Sequence, residues 1–168
     1  MRLAPAPLFQ CPLLDGPADP SVLWHPGERQ WFMYYTARRA NVISPGLSWV
    51  HGTPIGIASS PDGHDWLFRG WCAGFDFEPG INTFWAPEIL WHDGQFHAYT
   101  SVVRGVPVGW TGDRRIVHYT SVNGFDWTFQ SVLPLQSARA IDATVFPLPG
   151  GGWRLWFKDE DRGHGHTC

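Results

Sequence analysis

Short apolar runs separated by turn-forming residues make up most of the chain. β-branched and aromatic residues cluster in runs of five to nine positions, and segments with glycine, proline, asparagine or aspartate separate these runs. Apolar residues at the spacing of an amphipathic helix do not persist over ten residues anywhere. The pattern therefore predicts an all-β chain. Eight strands are expected: Ser21–His25, Gln30–Thr36, Pro54–Ser59, Glu88–His92, Gln95–Val103, Arg115–Thr120, Thr144–Leu148 and Trp153–Lys158.

Turn signals join these strands into hairpins. Asp93-Gly94 stands between two of the apolar runs, and Asp-Gly is typical of a two-residue hairpin loop. Pro26-Gly27 opens a turn between the first two strands, and Pro149–Gly152 forms a looser one near the end of the chain. Neighbouring strands are therefore expected to be antiparallel.

One short motif occurs twice. Residues Ser60–Trp66 and Ser121–Trp127 share the pattern S-x-[DN]-G-x-D-W, 61 residues apart. In such a segment the aspartate or asparagine side chain binds its own backbone and the glycine takes a positive φ. The tryptophan then packs beneath the turn. Two matching turns indicate two copies of one structural unit.

A second repeat occurs three times and places an acidic residue just before an apolar strand. The acidic residues are Asp19, Glu88 and Asp142, and each strand is followed by an aromatic strand that returns. A repeated unit of about 40–50 residues is the size of a β-propeller blade. The whole chain is therefore predicted to be one partial propeller domain, with blades at about residues 15–70, 80–135 and 138–168. The third blade is expected to be incomplete, so that two and a half to three blades are present.

The register of the three acidic residues predicts a pocket. In a propeller the innermost strands surround the central axis, so residues at equivalent strand starts meet at one end of it. Asp19, Glu88 and Asp142 are therefore expected to point into one depression. A single aspartate before a strand more often caps a turn, but three in register favour the pocket.

Composition and charge exclude several classes of protein. The chain has 168 residues, 43% hydrophobic and 16% charged, which is not the composition of a disordered protein. Its 11 tryptophans offer flat faces that suit sugar rings as well as a protein core. The net charge of −3 and the absence of a basic stripe argue against a nucleic-acid partner. No apolar run approaches the roughly 18 residues of a membrane span, and no signal peptide is evident, so a cytoplasmic location is expected.

Metal and cofactor motifs are not found in the sequence. Cys11, Cys72 and Cys168 are widely spaced and form no CxxC pair, so neither a disulfide scaffold nor a zinc site is expected. His164 and His166 share a strand face but lack a third ligand nearby. No nucleophile elbow and no phosphate-binding loop are present. We therefore predict no metal and no cofactor.

The three blade openings resemble those of a known family. Ala18-Asp19-Pro20-Ser21-Val22, Trp85-Ala86-Pro87-Glu88-Ile89 and Ile141-Asp142 with Val145-Phe146 look like the first three openings of glycoside hydrolase family 43. The Ser-x-Asp-Gly-x-Asp-Trp turns fit the same family, and related five-bladed furanosidase-type families share much of the pattern. The resemblance extends from about Asp15 to Thr167.

This resemblance implies a five-bladed propeller that hydrolyses glycosidic bonds, usually with inversion, and binds a carbohydrate substrate. By the family pattern Asp19 corresponds to the general base, and Asp142 to the residue that orients and tunes the general acid. The glutamate that serves as the acid opens the fourth blade in this family and has no counterpart here. The chain is accordingly expected to be an N-terminal fragment that is nearly inactive by itself.

Further residues are candidates for substrate contact. Glu88 and Trp85 lie at the proposed pocket; Trp85 could stack on a sugar or pack in the core. His51 could line the site, although a surface histidine is the more common case. Glu160 is interpreted as part of a solvated strand end, and the Arg38-Arg39 pair as solvated charges. Core positions are expected for Trp24, Trp31, Trp91, Trp153 and Trp156.

Two other functions stay open at this point. One is a non-catalytic propeller that binds carbohydrate through the same pocket. The other is a sialidase-like propeller, because the repeated turn approaches the Asp-box. That box has one more residue between aspartate and glycine, and the arginine triad that binds a sialic acid carboxylate cannot be assembled from the sequence. The sequence indicates no particular oligomeric state.

Overall fold

The computed structural model describes residues 8–76 and 78–161, together with the backbone of residues 166 and 167. Eleven strands form three antiparallel sheets in this part of the chain. The first sheet consists of β1 (Asp15–His25), β2 (Gln30–Arg39), β3 (Ile55–Ser60) and β4 (Leu67–Trp71). The second consists of β5 (Thr83–His92), β6 (Gln95–Val103), β7 (Arg114–Ser121) and β8 (Thr128–Val132). The third consists of β9 (Ala140–Pro147), β10 (Trp153–Asp159) and β11 (His166–Thr167).

The sheets succeed one another as the blades of a propeller do. In each sheet every strand pairs with the next one along the chain, and the first strands β1, β5 and β9 contact one another in succession. The described residues include a single 3-10 turn, Ser48–Val50, and no α-helix. No helix long and apolar enough to span a membrane is found among them. The predicted all-β, incomplete propeller is confirmed.

Apolar faces of the first two sheets pack against each other. Phe32, Tyr34 and Ile57 of the first sheet are fully buried, and they share one core with Phe96 and Tyr119 of the second. A further cluster joins the second and third sheets. At about 25 cal/mol per Å² of buried apolar surface, such faces are the main favourable term in holding sheets together.

The two repeated turns are structurally equivalent, as the sequence predicts. Ser60 Oγ accepts the Gly63 N–H at 2.8 Å, and Ser121 Oγ accepts the Gly124 N–H at 2.9 Å. The Asp62 carboxylate accepts the N–H groups of His64 and Asp65, and Asn123 does the same for Phe125 and Asp126. Both glycines have positive φ, 79° and 73°. The turns connect β3 to β4 and β7 to β8.

Each first strand contains a bulge, and the bulges correct the predicted register. Pairing shifts after Ala18, after Trp85 and beyond Ile141, and a left-handed residue lies at each shift. These residues are Asp19 (φ 50°), Ala86 (φ 43°) and Asp142 (φ 54°). A bulge re-aims a side chain at the cost of one ladder pair. Asp19 and Asp142 thus lie within strands rather than before them, and Ala86, not Glu88, is their counterpart in the second sheet.

A hydroxyl group from the preceding sheet accepts the N–H group that the next bulge leaves unpaired. Thr36 Oγ1 in β2 accepts the N–H of Ala86 at 2.8 Å, and Ser101 Oγ in β6 accepts the N–H of Asp142 at 3.0 Å. Thr36 and Ser101 occupy equivalent places, each on the second strand beside its own bulge. Neighbouring sheets are therefore joined by one repeated polar contact, which we call the hydroxyl clasp.

Four of the five tryptophans expected in the core are half exposed. Trp24 and Trp31 are directly opposite each other on β1 and β2, with ring centroids 5.5 Å apart, and Trp91 and Trp153 are similarly open to solvent. The prediction was wrong for these four because cross-strand aromatic pairs also stabilise the solvent-facing side of a sheet. Trp156 is partly buried.

Candidate active site

A hollow of about 330 Å³ lies beside the bulges of the first and third sheets. It combines two carboxylates, two basic side chains and three tryptophans. The residues that line it are Asp19, Arg38, Trp49, Val50, Trp85, Trp110, Ile141, Asp142 and Lys158. The structure therefore brings together three of the predicted site residues, Asp19, Asp142 and Trp85.

Asp19 is held by two donors from β2. Thr36 Oγ1 donates to its Oδ2 at 3.3 Å, and Arg38 forms an ion pair with the same oxygen at 3.3 Å. Both charged side chains remain about 40% exposed (39% and 41%), so the pair adds little to stability. Interpreting Arg38 as merely solvated was wrong.

Asp142 has a different environment from Asp19 at an equivalent bulge. Desolvation first, and then the negative charge of Asp19, raise the pKa of Asp142 above its ordinary value, although the side chain still reaches solvent. Lys158 and Arg38 act in the opposite direction. A carboxyl group with a raised pKa keeps its proton to a higher pH than an ordinary aspartate does.

The structure places Glu88 outside the pocket. Its Oε1 accepts the hydroxyl of Thr144 at 2.9 Å and the N–H of Val145 at 3.3 Å, so it joins the second sheet to the third. Glu88 is two residues after Ala86 and lies beyond the bulge, where it pairs with Tyr99 of β6. From the sequence the three acidic residues were predicted to be equivalent, whereas by backbone register the equivalent of Asp19 in the second sheet is Ala86.

Aromatic residues form one wall of the pocket. Trp85 and Trp110 stack with centroids 5.2 Å apart and planes at 10°. Trp85 is only 6% exposed and its Nε1 donates to the Val50 carbonyl at 2.6 Å, so core packing describes it better than an open sugar platform. Sequence reasoning missed Trp49 and Trp110, because both lie between strands where no periodic pattern marks them.

His51 lies behind this wall rather than on the surface. It is fully buried, with its ring 5.0 Å from that of Trp85 and 6.1 Å from that of Trp110, and its Nδ1 bonds to the Leu47 carbonyl. Burial lowers the pKa of His51 and keeps it neutral. The expectation of a surface histidine was wrong. A direct contact with a ligand is blocked here by the tryptophans.

An ion-pair cluster between β7 of the second sheet and the end of β10 of the third sheet supports the aromatic wall. Arg114 is fully buried and contacts Glu160 at 2.8 Å, Lys158 contacts the other oxygen of Glu160 at 2.8 Å, and Trp110 Nε1 donates to Glu160 at 3.1 Å. Burial alone would raise the pKa of Glu160, but the donors Lys158 and Trp110 and the charge of Arg114 lower it overall. The interpretation of Glu160 as a solvated strand end was wrong.

A second hollow, of about 220 Å³, lies beside Glu78, Arg104 and Arg115. Arg104 donates to both oxygens of Glu78, at 2.8 and 2.9 Å, and these bonds lower the pKa of Glu78. Glu78 is thus committed to an arginine. The lining of this hollow contains no aromatic residue, and the pocket at Asp19 and Asp142 remains the candidate site.

No cluster of three or more metal-ligating side chains is found within the described ranges. Cys11 and Cys72 are free thiols, and burial raises the pKa of Cys72. His164 and Cys168 lie outside the described residues, and for His166 only the backbone is described. One arginine, Arg38, lines the pocket, so the described residues do not assemble the arginine triad of a sialidase.

The fold is that of propeller-type glycoside hydrolases. A family 117 glycoside hydrolase, Zg3597 from Zobellia galactanivorans, superposes with a TM-score of 0.69 at 19% identity, over 89% of this chain and 50% of its own. A thermostable family-43 glycoside hydrolase gives 0.64 at 20% identity, over 89% and 44%. An N-acetylgalactosamine deacetylase from F. plautii, solved with blood group B trisaccharide, gives 0.67 at 14% identity, over 84% and 40%.

These similarities concern the fold. No protein-family model matches the sequence, and no curated protein matches it. The chain spans half or less of the length of these three structures. Because one of the three is named a deacetylase, the fold by itself does not specify the reaction.

Proposed function

We propose that this chain carries part of the active site of a glycoside hydrolase that acts with inversion. The observation that supports the proposal is the pair Asp19 and Asp142. Both project from equivalent bulges into one pocket, where Thr36 and Arg38 hold the Asp19 carboxylate and burial raises the pKa of Asp142. The resemblance to family 43 assigns the general base to Asp19 and the tuning of the acid to Asp142.

In the proposed reaction a water molecule attacks the anomeric carbon while the bond to the leaving oxygen breaks. Asp19 takes the proton of that water, and Arg38 and Thr36 fix the orientation of its carboxylate. The leaving oxygen takes a proton from a general acid, to which the resemblance matches no residue of this chain. Asp142 favours protonation of that acid by its negative charge once ionised.

The test separates the two proton transfers by the choice of leaving group. The dinitrophenolate of a 2,4-dinitrophenyl glycoside leaves without being protonated, whereas the methoxy group of a methyl glycoside leaves only when an acid protonates it. We expect the chain to hydrolyse dinitrophenyl arabinosides, xylosides or galactosides and to leave the methyl glycosides intact. Asp19→Asn should lower turnover about 10²–10⁴-fold, the usual contribution of a general base.

Asp93→Asn provides the matched control for this change. Asp93 is also an exposed aspartate at positive φ (47°), but it lies in the hairpin turn away from the pocket. Its substitution should leave turnover unchanged. Equal loss in both variants, or full turnover in Asp19→Asn, would refute the assignment of Asp19. Turnover of methyl glycosides would show that a residue of this chain serves as the acid.

A carbohydrate-binding protein without activity is the second candidate function. It is favoured by the ion pair of Asp19 with Arg38, which occupies one carboxylate oxygen of the proposed base. Binding of a sugar to the unsubstituted chain with no turnover of dinitrophenyl glycosides would support this alternative over the hydrolase.

A further inference from the structure

Trp110 is exposed on a loop and yet is fixed by four contacts. The residue lies between β6 and β7, is 45% exposed and lines the pocket. Its ring stacks on Trp85, its Nε1 donates to Glu160 at 3.1 Å, and the Arg114 guanidinium lies 4.7 Å from its centroid. Its carbonyl accepts a hydrogen bond from Arg139 at 3.0 Å. A rigidly held aromatic surface binds a ligand without the entropic cost of ordering it.

Trp85 cannot present the same surface. Its 6% exposure leaves no open face, because Trp110 is stacked on it. Any sugar ring that enters the pocket on this side therefore meets Trp110 first. Exposure by itself is ordinary for a tryptophan in this chain, since Trp24 is equally exposed, at 45%. Trp110 differs from Trp24 in its place at the pocket and in its anchors.

A buried charged residue, Arg114, lies behind Trp110. Arg114 is fully buried, and among the described residues its guanidinium nitrogens have no hydrogen bond of good geometry, although Glu160 lies 2.8 Å away. Burying an ion pair of this kind seldom gives net stability over apolar packing. Arg114 and Glu160 both contact the indole of Trp110, Arg114 at the ring and Glu160 at Nε1.

We propose that Trp110 is the platform on which a sugar ring stacks in this pocket, and that Arg114 and Glu160 are positioning residues that hold its indole. The inference rests on the proposed carbohydrate function and deepens it: the ligand presents an apolar sugar face to Trp110 while its hydroxyls reach Asp19, Asp142 and Lys158. A tenfold change in affinity corresponds to about 1.4 kcal/mol.

The test uses xylotriose, arabinotriose and galactobiose as probes on the whole chain. For the probe that binds most tightly, Trp110→Ala should weaken binding about tenfold, measured by calorimetry. Trp24→Ala, the equally exposed tryptophan outside the pocket, should change affinity by less than about twofold. In the unsubstituted protein the indole N–H resonance of Trp110, assigned by its loss in Trp110→Phe, should shift on binding. This shift tests the platform even if Trp110→Ala does not fold.

The outcomes separate the platform from the proposed function. If no probe binds, the carbohydrate function is refuted and the platform with it. If a probe binds but Trp110→Ala keeps full affinity, or the Trp110 resonance stays in place, the platform alone is overturned.

The positioning role has its own readout. Glu160→Ala should weaken binding several-fold and move the Trp110 resonance, whereas Glu160→Gln should restore most of the affinity, because its amide oxygen still accepts the indole proton. Equal losses in the two variants, or an unmoved Trp110 resonance in Glu160→Ala, would contradict the positioning role.

Discussion

The two interfaces between neighbouring sheets occupy equivalent places and differ in chemistry at two equivalent positions. The first sheet presents Phe32 and Ile57 to the second sheet. At the same register the second sheet carries His97 and His118 on the side that packs towards the third. His97 Nδ1 and His118 Nε2 are 3.0 Å apart, with their rings stacked. A four-stranded sheet of this fold can therefore present either apolar side chains or histidines to the next sheet at these two positions.

The contrast shows which properties belong to the backbone and which to single side chains. Both interfaces are closed by the same hydroxyl clasp and both sheets carry the same Ser-x-[Asp/Asn]-Gly turn. Hydrogen bonds between backbone N–H groups and serine or threonine hydroxyl groups therefore join the sheets in the same way at both interfaces. Side chains at equivalent positions then decide whether an interface responds to pH. The first interface does contain His25, but hydrogen bonds form at both of its ring nitrogens.

The largest effect is expected from truncation at the apolar interface. Phe32→Ala removes a fully buried ring that contacts His25 and Phe125, and we expect a loss of about 3–5 kcal/mol in the free energy of unfolding. The equivalent change in the second sheet, His97→Ala, should cost about 1 kcal/mol, because the ring is only partly buried. Urea denaturation at pH 7 measures both. Equal losses would show that the two interfaces are energetically alike.

The second effect is a pH dependence located at the histidine interface. Burial and the neighbouring His97 lower the pKa of His118 to about 4, and burial and His92 lower that of His97. An unfolded histidine titrates near 6.5, so between about pH 6.5 and 4 the unfolded state binds more protons. The free energy of unfolding should therefore fall as the pH is lowered through this window.

The substitution His118→Ile introduces the residue that the first sheet has at this place. It should flatten the loss of stability between pH 6.5 and 4, because it removes the histidine whose pKa is lowered to about 4, while His97, beside His92, keeps its smaller part of the loss. Contributions from carboxyl groups elsewhere, including Asp142, are the same in both proteins and cancel in the difference. Parallel pH curves for the two proteins would contradict the assignment to His118.

The smallest effect concerns the bulges. Ala86 has φ 43°, a conformation that costs an L-residue with a Cβ about 1–2 kcal/mol. Ala86→Gly should relieve this strain and raise the free energy of unfolding by up to about 1 kcal/mol. Ala98→Gly, in the neighbouring strand β6 at an ordinary backbone conformation, should lower it instead. Thermal or urea unfolding of both variants gives the comparison, and a loss in both would show that the bulge at Ala86 is not strained.

The sequence predicted the elements whose signals are local. Serine, glycine and tryptophan at fixed offsets define the repeated turn, so its two copies could be found without a structure. The register of the acidic residues was predicted wrongly, because the strands were aligned by their acidic residues instead of by their proline and tryptophan residues. Matching Pro20 with Pro87 and Trp24 with Trp91 places Ala86 beside Asp19.

The pocket was predictable only in part. Asp19 and Asp142 were found because each precedes a repeated strand motif, and the bulge that aims them recurs with that motif. Trp110 and Trp49 come from irregular segments, where contacts distant in sequence fix the position of a side chain. The same holds for Arg114, whose burial depends on Glu160, 46 positions further along the chain.

The hydroxyl clasp has a consequence for how such a molecule can grow during evolution. Each of the first two sheets presents an acceptor, Thr36 or Ser101, and each following sheet supplies the bulge N–H that fits it. A duplicated gene segment that encodes one sheet would therefore carry both halves of the joint, an acceptor for the next sheet and a bulge N–H for the preceding one. A carboxylate could then be gained or lost at the bulge, as Asp19 and Ala86 illustrate, while the joint is kept.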